Sequence, residues 1–342
     1  MDEFSLKAQQ IKAEIDQAQR ILLHLHPNSD SDSIGSALGL KIALQGIGKK
    51  VDVIQGDDSP EVNHNFIPEF SSIIPKSFKY VDLNHYDLFL ILDASSPNQI
   101  TDEIELAFPL SIKTINIDHH PTNPNYADIT LLVKQSPATS EIIYDLLNHW
   151  GIEITSDIAT CLFVGIWGDT GGFRWQSTSD KTFNVAADLI RHGAKNGEII
   201  SKLLSSSTKI IKLFGKLLSF IEIYANEKIN LICINNKQIK DFELKDTEIR
   251  ELFHKVNHTL SSSSDAVITG MIREENPGEV SLSMRNNNLD EDKQCDVSRI
   301  ALAIGGGGHK RAAGARFTGK SVEEVRNILF AEIKNIFPDW KL

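Results

Sequence analysis

Strongly apolar runs in the first half of the chain alternate with long amphipathic stretches. The first run, Ile21 to Leu25, is followed at once by His26, and later runs close on carboxylates. Apolar runs of strand length separated by long connections are typical of a parallel sheet. The pattern predicts strands at 20–26, 50–55, 87–94, 113–121 and 129–133, and helices at 4–19, 32–46, 140–150, 158–168 and 179–192. We therefore expect an α/β domain with a doubly wound, mostly parallel sheet.

The pattern changes after residue 195. Residues 196–225 are predicted to be helical, with a break at Ser205-Ser206-Ser207. Beyond this segment, strands and helices mix again, which predicts a second, smaller α+β domain. Its expected elements are strands at 228–235, 266–273 and 279–285, helices at 246–259, 296–304 and 321–336, and a strand before the last helix. The predicted organisation is a domain at 1–195, a helical linker at 196–225 and a domain at 226–342.

Size, charge and cysteine content narrow the classes of function. A chain of 342 residues is long for a single core and agrees with two domains. Its net charge of −11 argues against broad binding to duplex nucleic acid, which needs a basic face. Cys161, Cys233 and Cys295 are too far apart for a CxxC metal site. Because no apolar segment reaches membrane-spanning length and no signal peptide is visible, we expect a cytoplasmic protein without a membrane partner.

The segment after the first predicted strand is rich in metal-ligand types. His26 is followed by Asp30 and Asp32 in the turn that begins helix 32–46. Open α/β sheets bind ligands at the carboxyl ends of their strands, so we expect these side chains at that edge. Nitrogen and oxygen ligands without thiolate suit Mn, Mg or Zn. Taken alone, however, the segment is also consistent with a polar turn and a capping Asp.

Further acidic and imidazole residues follow other predicted elements. Asp93 ends one strand, Asp118-His119-His120 ends another, and Asp169 closes a helix in a glycine-rich turn. Each has a structural alternative, because an Asp at such a position commonly stabilises a turn. A set of this size favours two metals close together, which need about six protein ligands including a bridging carboxylate.

These residues resemble the motifs of the DHH phosphoesterase superfamily, and Gly305 to Gly308 with His309 resembles the associated DHHA1 substrate domain. In size and layout the chain is similar to the nano-RNase/pAp phosphatase and stand-alone cyclic-di-AMP phosphodiesterase subgroup. One departure is Ser29, which stands where the family commonly has Pro, and it removes no ligand. The motifs that carry the resemblance are Asp118-His119-His120, His26-x3-Asp30-x-Asp32, isolated Asp93 and Asp169, and the terminal glycines with Ala312-Ala313-Gly314.

The resemblance implies a role for each of these residues. Asp93 would bridge two metals, and Asp118 would orient an imidazole through its ring N–H. His120 would face the phosphoryl group, as a donor or as a proton shuttle to the leaving group. Mixed imidazole and carboxylate ligation favours Mn, with Mg or Co as substitutes. The implied ligand sets are His26, Asp30 and Asp93 for one metal, and Asp32, Asp93, His119 and Asp169 for the other.

The tetraglycine segment is a second candidate site. One Gly often ends a helix, but four in a row cost backbone entropy, which favours an anion-binding loop of exposed N–H groups. His309 would add a donor beside the loop, and Arg285 a bidentate phosphate contact. Arg174 is a weaker candidate phosphate ligand in the first domain. In the family that the chain resembles, the second domain captures the end of the nucleotide that is not cleaved, which implies a cleft between the domains.

We therefore predict hydrolysis of phosphodiester or terminal phosphate bonds in very short nucleotides, such as nanoRNA, pApA, cyclic-di-AMP or pAp, by a metal-activated water. An exopolyphosphatase or pyrophosphatase shares the metal motif, although the tetraglycine–His loop argues against the pyrophosphatase. A RecJ-like single-strand exonuclease is disfavoured by the acidic balance and the lack of room for a further nucleic-acid domain. A non-catalytic nucleotide-binding protein is the third alternative, and the intact ligand set argues against it. The preferred nucleotide stays open, and a homodimer is a candidate assembly.

Overall fold

A computed structural model describes residues 2–60, 62–101, 108, 112–286 and 295–341, apart from the side chains of residues 62 and 309. The chain divides into two compact units, Met1–Ser205 and Ser206–Leu342. In the described part of the chain, none of the helices combines the length and apolar character that a membrane span requires.

The first unit contains a five-stranded sheet in which every pairing is parallel. Its elements are α1 (Glu3–Gln17), β1 (Arg20–His24), α2 (Ser31–Gly46), β2 (Lys50–Ile54), β3 (Leu88–Leu92), β4 (Lys113–Asp118), β5 (Ile129–Leu132), α3 (Thr139–His149), α4 (Ser156–Asp169), α5 (Asp180–Arg191) and α6 (Asn196–Leu204). The strand order is β2-β1-β3-β4-β5. The predicted α/β class with a parallel sheet is confirmed.

Alternating side chains of the strands build one hydrophobic layer on each face of this sheet. Leu23 and Leu90 pack into the larger layer with residues of α1 to α5, whereas Leu22 and Phe89 face the opposite layer. Among the described residues, that opposite layer is completed by segments without α-helix, including Phe78. Short 3-10 helices in the described part of this unit lie at Val62–His64, Phe70–Ser72, Phe78–Tyr80, Leu83–His85 and Pro97–Gln99. Burial of both faces explains why β3 reads as an uninterrupted apolar run.

The second unit is an α+β domain around a six-stranded sheet. Its elements are α7 (Thr208–Leu218), β6 (Ile221–Tyr224), β7 (Ile229–Ile234), α8 (Asn236–Lys240), α9 (Asp246–Leu260), β8 (Ile268–Asn276), β9 (Glu279–Arg285), α10 (Val297–Ala303), β10 (Gly307–His309), β11 (Ala312–Thr318) and α11 (Val322–Ile336). The order is β10-β11-β9-β8-β7-β6, and among these pairs β7–β8 is parallel and the others are antiparallel.

The segment predicted as a helical linker, 196–225, is divided between the two units. Its first helix, α6, belongs to the first unit, and α7 belongs to the second. The helix expected to reach residue 225 ends at Leu218, because Ile221–Tyr224 pairs antiparallel with β7 as an edge strand. Isoleucines at alternate positions suit a strand, and this period-two pattern lies inside the segment that the sequence predicts to be helical.

Candidate functional site

His26 follows β1 at the carboxyl edge of the first sheet. Its Nδ1 donates a hydrogen bond to the Pro27 carbonyl at 2.9 Å, which fixes the ring. The other nitrogen, Nε2, faces Asp30 Oδ1 at 3.7 Å and Asp93 Oδ2 at 3.6 Å. The imidazole therefore presents one nitrogen to two carboxylates, and that nitrogen is the one able to bind a cation.

The neighbouring acids Asp30 and Asp32 have different local partners. Asp30 caps α2, since its Oδ1 accepts from two N–H groups of the first turn at 2.9 and 3.0 Å. Asp32 is fully buried, and its two oxygens accept from the N–H groups of Thr139 at 2.6 Å and Ser140 at 2.9 Å. The N-cap residue of α3 is Ala138, which has no acceptor in its side chain, so Asp32 stabilises that helix end from α2.

Asp93 lies at the centre of the cluster, directly after β3. It is 2% exposed and adopts a left-handed backbone with φ of 55°, a conformation that Asp and Asn tolerate better than most residues. Oδ2 faces His26, whereas Oδ1 lies 3.4 Å from His119 Nε2 and accepts from Thr139 Oγ1 at 3.1 Å. The two oxygens of one carboxylate thus face two imidazoles, as a bridging ligand requires.

His119 connects Asp93 to Asp169, the last residue of α4. Its Nδ1 donates to the Ser136 carbonyl at 3.3 Å, and its Nε2 lies 3.3 Å from Asp169 Oδ2. Nε2 is buried and has no hydrogen-bond partner among the described residues. A buried nitrogen that faces two carboxylates without a good hydrogen bond fits a site in which a cation lies between them.

Asp118 pairs with His120 and not with His119. Its Oδ1 accepts from His120 Nδ1 at 2.7 Å, and its Oδ2 accepts from Asn123 Nδ2 at 2.6 Å. The Asn123 amide also donates to Asn116 Oδ1 at 2.6 Å, so the carboxylate belongs to a buried network. The network fixes the His120 ring and leaves its Nε2 for other partners, because Nδ1 is already used.

Close packing of α2 against α4 brings acids from two helices together. A Cβ at Gly35 would lie 2.4 Å from the Cys161 carbonyl oxygen, and a Cβ at Gly165 would lie 2.6 Å from Asp32 Oδ1. Side chains at these two positions would force the helices apart. The glycines therefore allow Asp32 on α2 to approach Asp169 at the end of α4.

The cluster concentrates negative charge in a buried place. Burial raises the pKa of Asp169 to about 6, and burial with the charges of Asp93 and Asp169 raises the pKa of Asp32 well above its usual range. Although burial opposes it, the contacts with His119 and His26 hold the pKa of Asp93 well below its usual value. Against the effect of burial, contacts with Asp169 and Asp93 raise the pKa of His119 to about 12. A field that favours a proton on His119 also favours a divalent cation.

The structure brings all six predicted metal ligands together. Their donor atoms form groups in which each atom lies within 4.8 Å of the others: His26 with Asp30 and Asp93, Asp32 with His119 and Asp169, and Asp93 with His119 and His120. The first two groups correspond to the two predicted ligand sets, with Asp93 close to both. The third group places His120 beside the same atoms, with its Nδ1 3.8 Å from Asp93 Oδ1.

The tetraglycine segment has a different structure from the expected loop. Gly305 and Gly306 donate their N–H groups to the carbonyls of Leu302 at 3.2 Å and Ala301 at 2.7 Å, and so end α10. Gly307 and Gly308 continue as β10, which pairs antiparallel with β11. An anion-binding loop made of all four glycines is therefore a prediction that needs correction, because the first two N–H groups satisfy the carbonyls of the helix end.

A positive φ or a steric contact explains three of the four glycines. Gly305 and Gly308 have φ of 84° and 138°, and a Cβ at Gly306 would lie 2.1 Å from the Gly314 carbonyl oxygen. Gly307 has no positive φ, and no described atom lies within 4 Å of its ideal Cβ. A glycine in a strand without such a reason often marks the close approach of a ligand.

Arg285 and Arg174, the two candidate phosphate ligands, differ in their surroundings. Arg285 ends β9 opposite Ala312, is half-buried, and donates from Nη1 to the Met284 carbonyl at 3.0 Å. Burial lowers its pKa, and no described carboxylate pairs with it. Arg174 is exposed, and its Nε donates to the Gly171 carbonyl at 2.6 Å. The side chain of His309, the third candidate of this class, lies outside the described part of the chain.

Two contributors to the site were missed in the sequence. Thr139 donates to Asp93, and Asn123 donates to Asp118. Thr139 and the following Ser are typical of a helix start, which predicts a cap but not a contact with a distant strand end. The pairing of Asp118 with His120 did have a signal, since residues two apart in an extended chain share a face.

Two family models match the chain. Residues 20–166 match the DHH family, N-terminal domain, and residues 236–335 match the DHHA1 domain. The first match ends three residues before Asp169, and the second includes the tetraglycine segment.

Curated relatives and solved structures agree with this division. The chain is 28% identical to the bifunctional oligoribonuclease and PAP phosphatase NrnA of Thermus thermophilus over 309 residues, 89% of this chain and 86% of the relative. It is 24% identical to the cyclic-di-AMP phosphodiesterase GdpP of Geobacillus thermodenitrificans, over 96% of this chain and 49% of the relative. The fold is that of an exopolyphosphatase-related protein from Bacteroides fragilis, with a TM-score of 0.85, 23% identity and 97% of each chain covered. The first unit therefore carries a DHH-family N-terminal domain, and the second carries a DHHA1 domain.

Proposed function

We propose that this protein is a metal-dependent phosphoesterase that hydrolyses phosphodiester or terminal phosphate bonds in very short nucleotides. The observation that carries the proposal is the buried, unpartnered Nε2 of His119 between Asp93 and Asp169. The oligoribonuclease and PAP phosphatase activities in the name of the Thermus relative support the substrate class.

In this proposal His26, Asp30 and Asp93 hold one divalent ion, and the second ion is held by Asp32, Asp93, His119 and Asp169. Such a pair would supply a nucleophilic water at neutral pH and neutralise the charge of the phosphate oxygens. Mn is the favoured metal, with Mg or Co as substitutes, because the ligands mix imidazole and carboxylate. The hydrogen bonds that hold Asp32 and Asp30 in place keep the ligand atoms oriented before any ion binds.

His120 is proposed to move a proton at its Nε2. Asp118 accepts a hydrogen bond from Nδ1, which keeps a proton on Nδ1. Nε2, on the other side of the ring, is then left for other partners. Contact with Asp118 and the charge of Asp93 raise the pKa of His120 despite its burial, so the protonated form is favoured. A protonated Nε2 can donate to a phosphate oxygen or deliver a proton to the leaving oxygen.

The DHHA1 domain is proposed to bind the part of the nucleotide that is not cleaved. Arg285 is a half-buried guanidinium without a described carboxylate partner, which favours an external anion. Gly307 adds a stretch of backbone that a ligand can approach closely. His309 and Arg174 stay in the proposal as additional phosphate donors.

Hydrolysis of polyphosphate is the second candidate, because an exopolyphosphatase-type reaction needs the same metal ligands.

A turnover screen tests both candidate functions. Purified protein is assayed with Mn, Mg or Co on pAp, pApA, cyclic-di-AMP, nanoRNA, a long single strand and polyphosphate. We expect the highest kcat/KM with Mn on one or more of the short nucleotides. Faster hydrolysis of polyphosphate, or of the long strand, would replace the proposed substrate class. Nucleotide binding without hydrolysis under any metal would point to a non-catalytic protein.

A further inference from the structure

A cavity of about 200 Å³ opens on the sheet of the second unit, away from the tetraglycine segment. We call it the two-arginine pocket. The residues of its lining that matter here are Arg273, Arg316, Ser281, Ser283, Glu275 and Asn257. Neither the metal centre nor the tetraglycine segment contributes to it.

The strand register explains why two arginines meet there. Ser281 on β9 lies opposite Arg273 on β8 and opposite Arg316 on β11, so the three residues form one row across the sheet. Along β9 the residues at 280, 282 and 284 are buried in the core, whereas 281, 283 and 285 are on the other face. Arg285 therefore lies on the same face of the sheet as this row.

The pocket has an excess of hydrogen-bond donors and of positive charge. Arg273 forms an ion pair with Glu275 and lies over the Phe253 ring at 4.7 Å, which fixes its position. Arg316 is exposed and also acts electrostatically on Glu275, so two guanidinium groups share one carboxylate. An acceptor-rich anion can use both guanidiniums, which are suited to forked contacts with phosphate.

The serine hydroxyls are available to the same ligand. Ser283 Oγ donates to Asn257 Oδ1, and Ser281 Oγ donates to the Arg273 carbonyl, both at a long 3.4 Å. Hydrogen bonds of this length are weak and are readily exchanged for shorter ones to an oxyanion.

The distance from Arg285 determines what can reach the pocket. Ser281 and Arg285 are four residues apart on β9, which corresponds to about 14 Å at 3.4 Å per residue. A stacked strand rises about 3.4 Å per nucleotide, so this distance corresponds to about four stacked nucleotides and to fewer in an extended chain. A dinucleotide with one phosphate at Arg285 has no second phosphate far enough away to reach the pocket.

We propose that the two-arginine pocket binds one more phosphoryl group of a longer nucleotide chain, beyond the group at Arg285. A 5′-phosphorylated tetranucleotide in an extended conformation carries enough phosphates to reach the pocket, whereas a dinucleotide does not. This inference rests on the proposed function, since it assumes that short nucleotides are the substrates.

The test compares 5′-phosphorylated tetra-adenylate with 5′-phosphorylated di-adenylate in the full-length protein. Arg316→Ala should weaken binding of the tetramer by about tenfold, measured in EDTA by fluorescence anisotropy, and lower its kcat/KM similarly with metal present. Binding and hydrolysis of the dimer should be unchanged. The slope of log K against log salt should fall by about 0.7 for the tetramer, as expected for the loss of one phosphate contact on a single strand.

Two further variants make the result decisive. Lys334→Ala removes one positive charge from α11, which packs on the opposite side of the sheet, and should change neither substrate. Glu275→Gln removes the negative charge of the pocket and should strengthen binding of the tetramer. Equal losses for both substrates in Arg316→Ala, or an unchanged tetramer, would refute the pocket.

Inorganic phosphate distinguishes a substrate phosphate from a free anion. If added phosphate alters hydrolysis of the dimer in wild type but not in Arg316→Ala, the pocket serves a free anion and the proposal is wrong. If phosphate merely competes with the tetramer, the proposal stands. A wild-type protein that hydrolyses neither oligonucleotide would refute the proposed function, whereas active wild type with an unaffected variant refutes only the pocket.

Discussion

The proposed metal centre of the first unit and the arginine face of the second, formed by Arg273, Arg285 and Arg316, are built in opposite ways. In the proposed metal centre, short side chains lie at strand and helix ends, and Asp32 among them is fully buried and held by two backbone hydrogen bonds. On the arginine face, long side chains project from the middle and end of strands and are partly exposed. The first arrangement fixes atoms for chemistry, and the second leaves freedom to bind ligands of different length.

This contrast predicts different responses to substitution. A change in the metal centre should remove turnover at nearly every substrate, because each ligand position is fixed by several others. A change on the arginine face should alter affinity, and its effect should depend on the substrate.

The largest expected effect is that of Asp93→Asn. Asn tolerates the left-handed backbone at this position, so the fold should survive while the bridging charge is lost. We expect turnover to fall below detection, a larger loss than the roughly 10–100-fold typical of an outer hydrogen-bond partner, and metal content to fall with it. Metal analysis, circular dichroism and turnover with Mn measure the three quantities. Wild-type activity in a folded variant would exclude Asp93 as the bridge.

Next in size are the substitutions that separate the two adjacent histidines. His119→Ala should reduce bound metal, because Nε2 of His119 faces Asp93 and Asp169. His120→Ala should keep the metal and lower kcat on the order of 10²–10⁴, as is typical for a proton-transfer residue. Metal content and kcat measured side by side distinguish the roles. If both variants lose metal to the same extent, His120 is itself a metal ligand.

The part of the site that the sequence predicts well is the part fixed by local rules. His26, Asp30 and Asp93 follow strands, Asp118 ends one, and the carboxyl ends of parallel strands meet at one edge of a sheet. The approach of Asp32 to the start of α3 depends on helix packing between residues 107 positions apart in the sequence, which no local pattern shows.

In the second unit, the sequence predicts the strands but not which residues of neighbouring strands lie opposite each other. Its strands alternate clearly, but their register does not follow from the sequence, so the row formed by Arg273, Ser281 and Arg316 was not foreseen. The sequence predicts a single anion-binding loop for the tetraglycine segment, whereas Gly305 and Gly306 end a helix and Gly307 begins a strand. Backbone N–H groups that look available in a glycine run are committed once the neighbouring helix is formed.

A smaller and more selective effect is expected for Arg285→Ala. Loss of a charge-assisted contact should raise KM for pApA and pAp by roughly tenfold or more. Hydrolysis of bis-p-nitrophenyl phosphate, which can react at the metals without the arginine face, should change little. Kinetics on both substrates with the same preparation decide the matter, and parallel losses would place Arg285 in the fold or in the catalytic machinery.

The smallest effect is expected for a pair of glycine variants in the tetraglycine segment, which test whether a nucleotide approaches the second unit there. Gly307→Ala meets no described atom and should stabilise the strand by about 0.5–1 kcal/mol, because glycine is entropically unfavourable there. Gly306→Ala should destabilise the domain, since its Cβ would lie 2.1 Å from the Gly314 carbonyl oxygen. If a nucleotide approaches the backbone at Gly307, KM for pApA rises severalfold in Gly307→Ala although thermal stability is equal or higher. Unchanged KM together with raised stability would show that the ligand does not approach this strand.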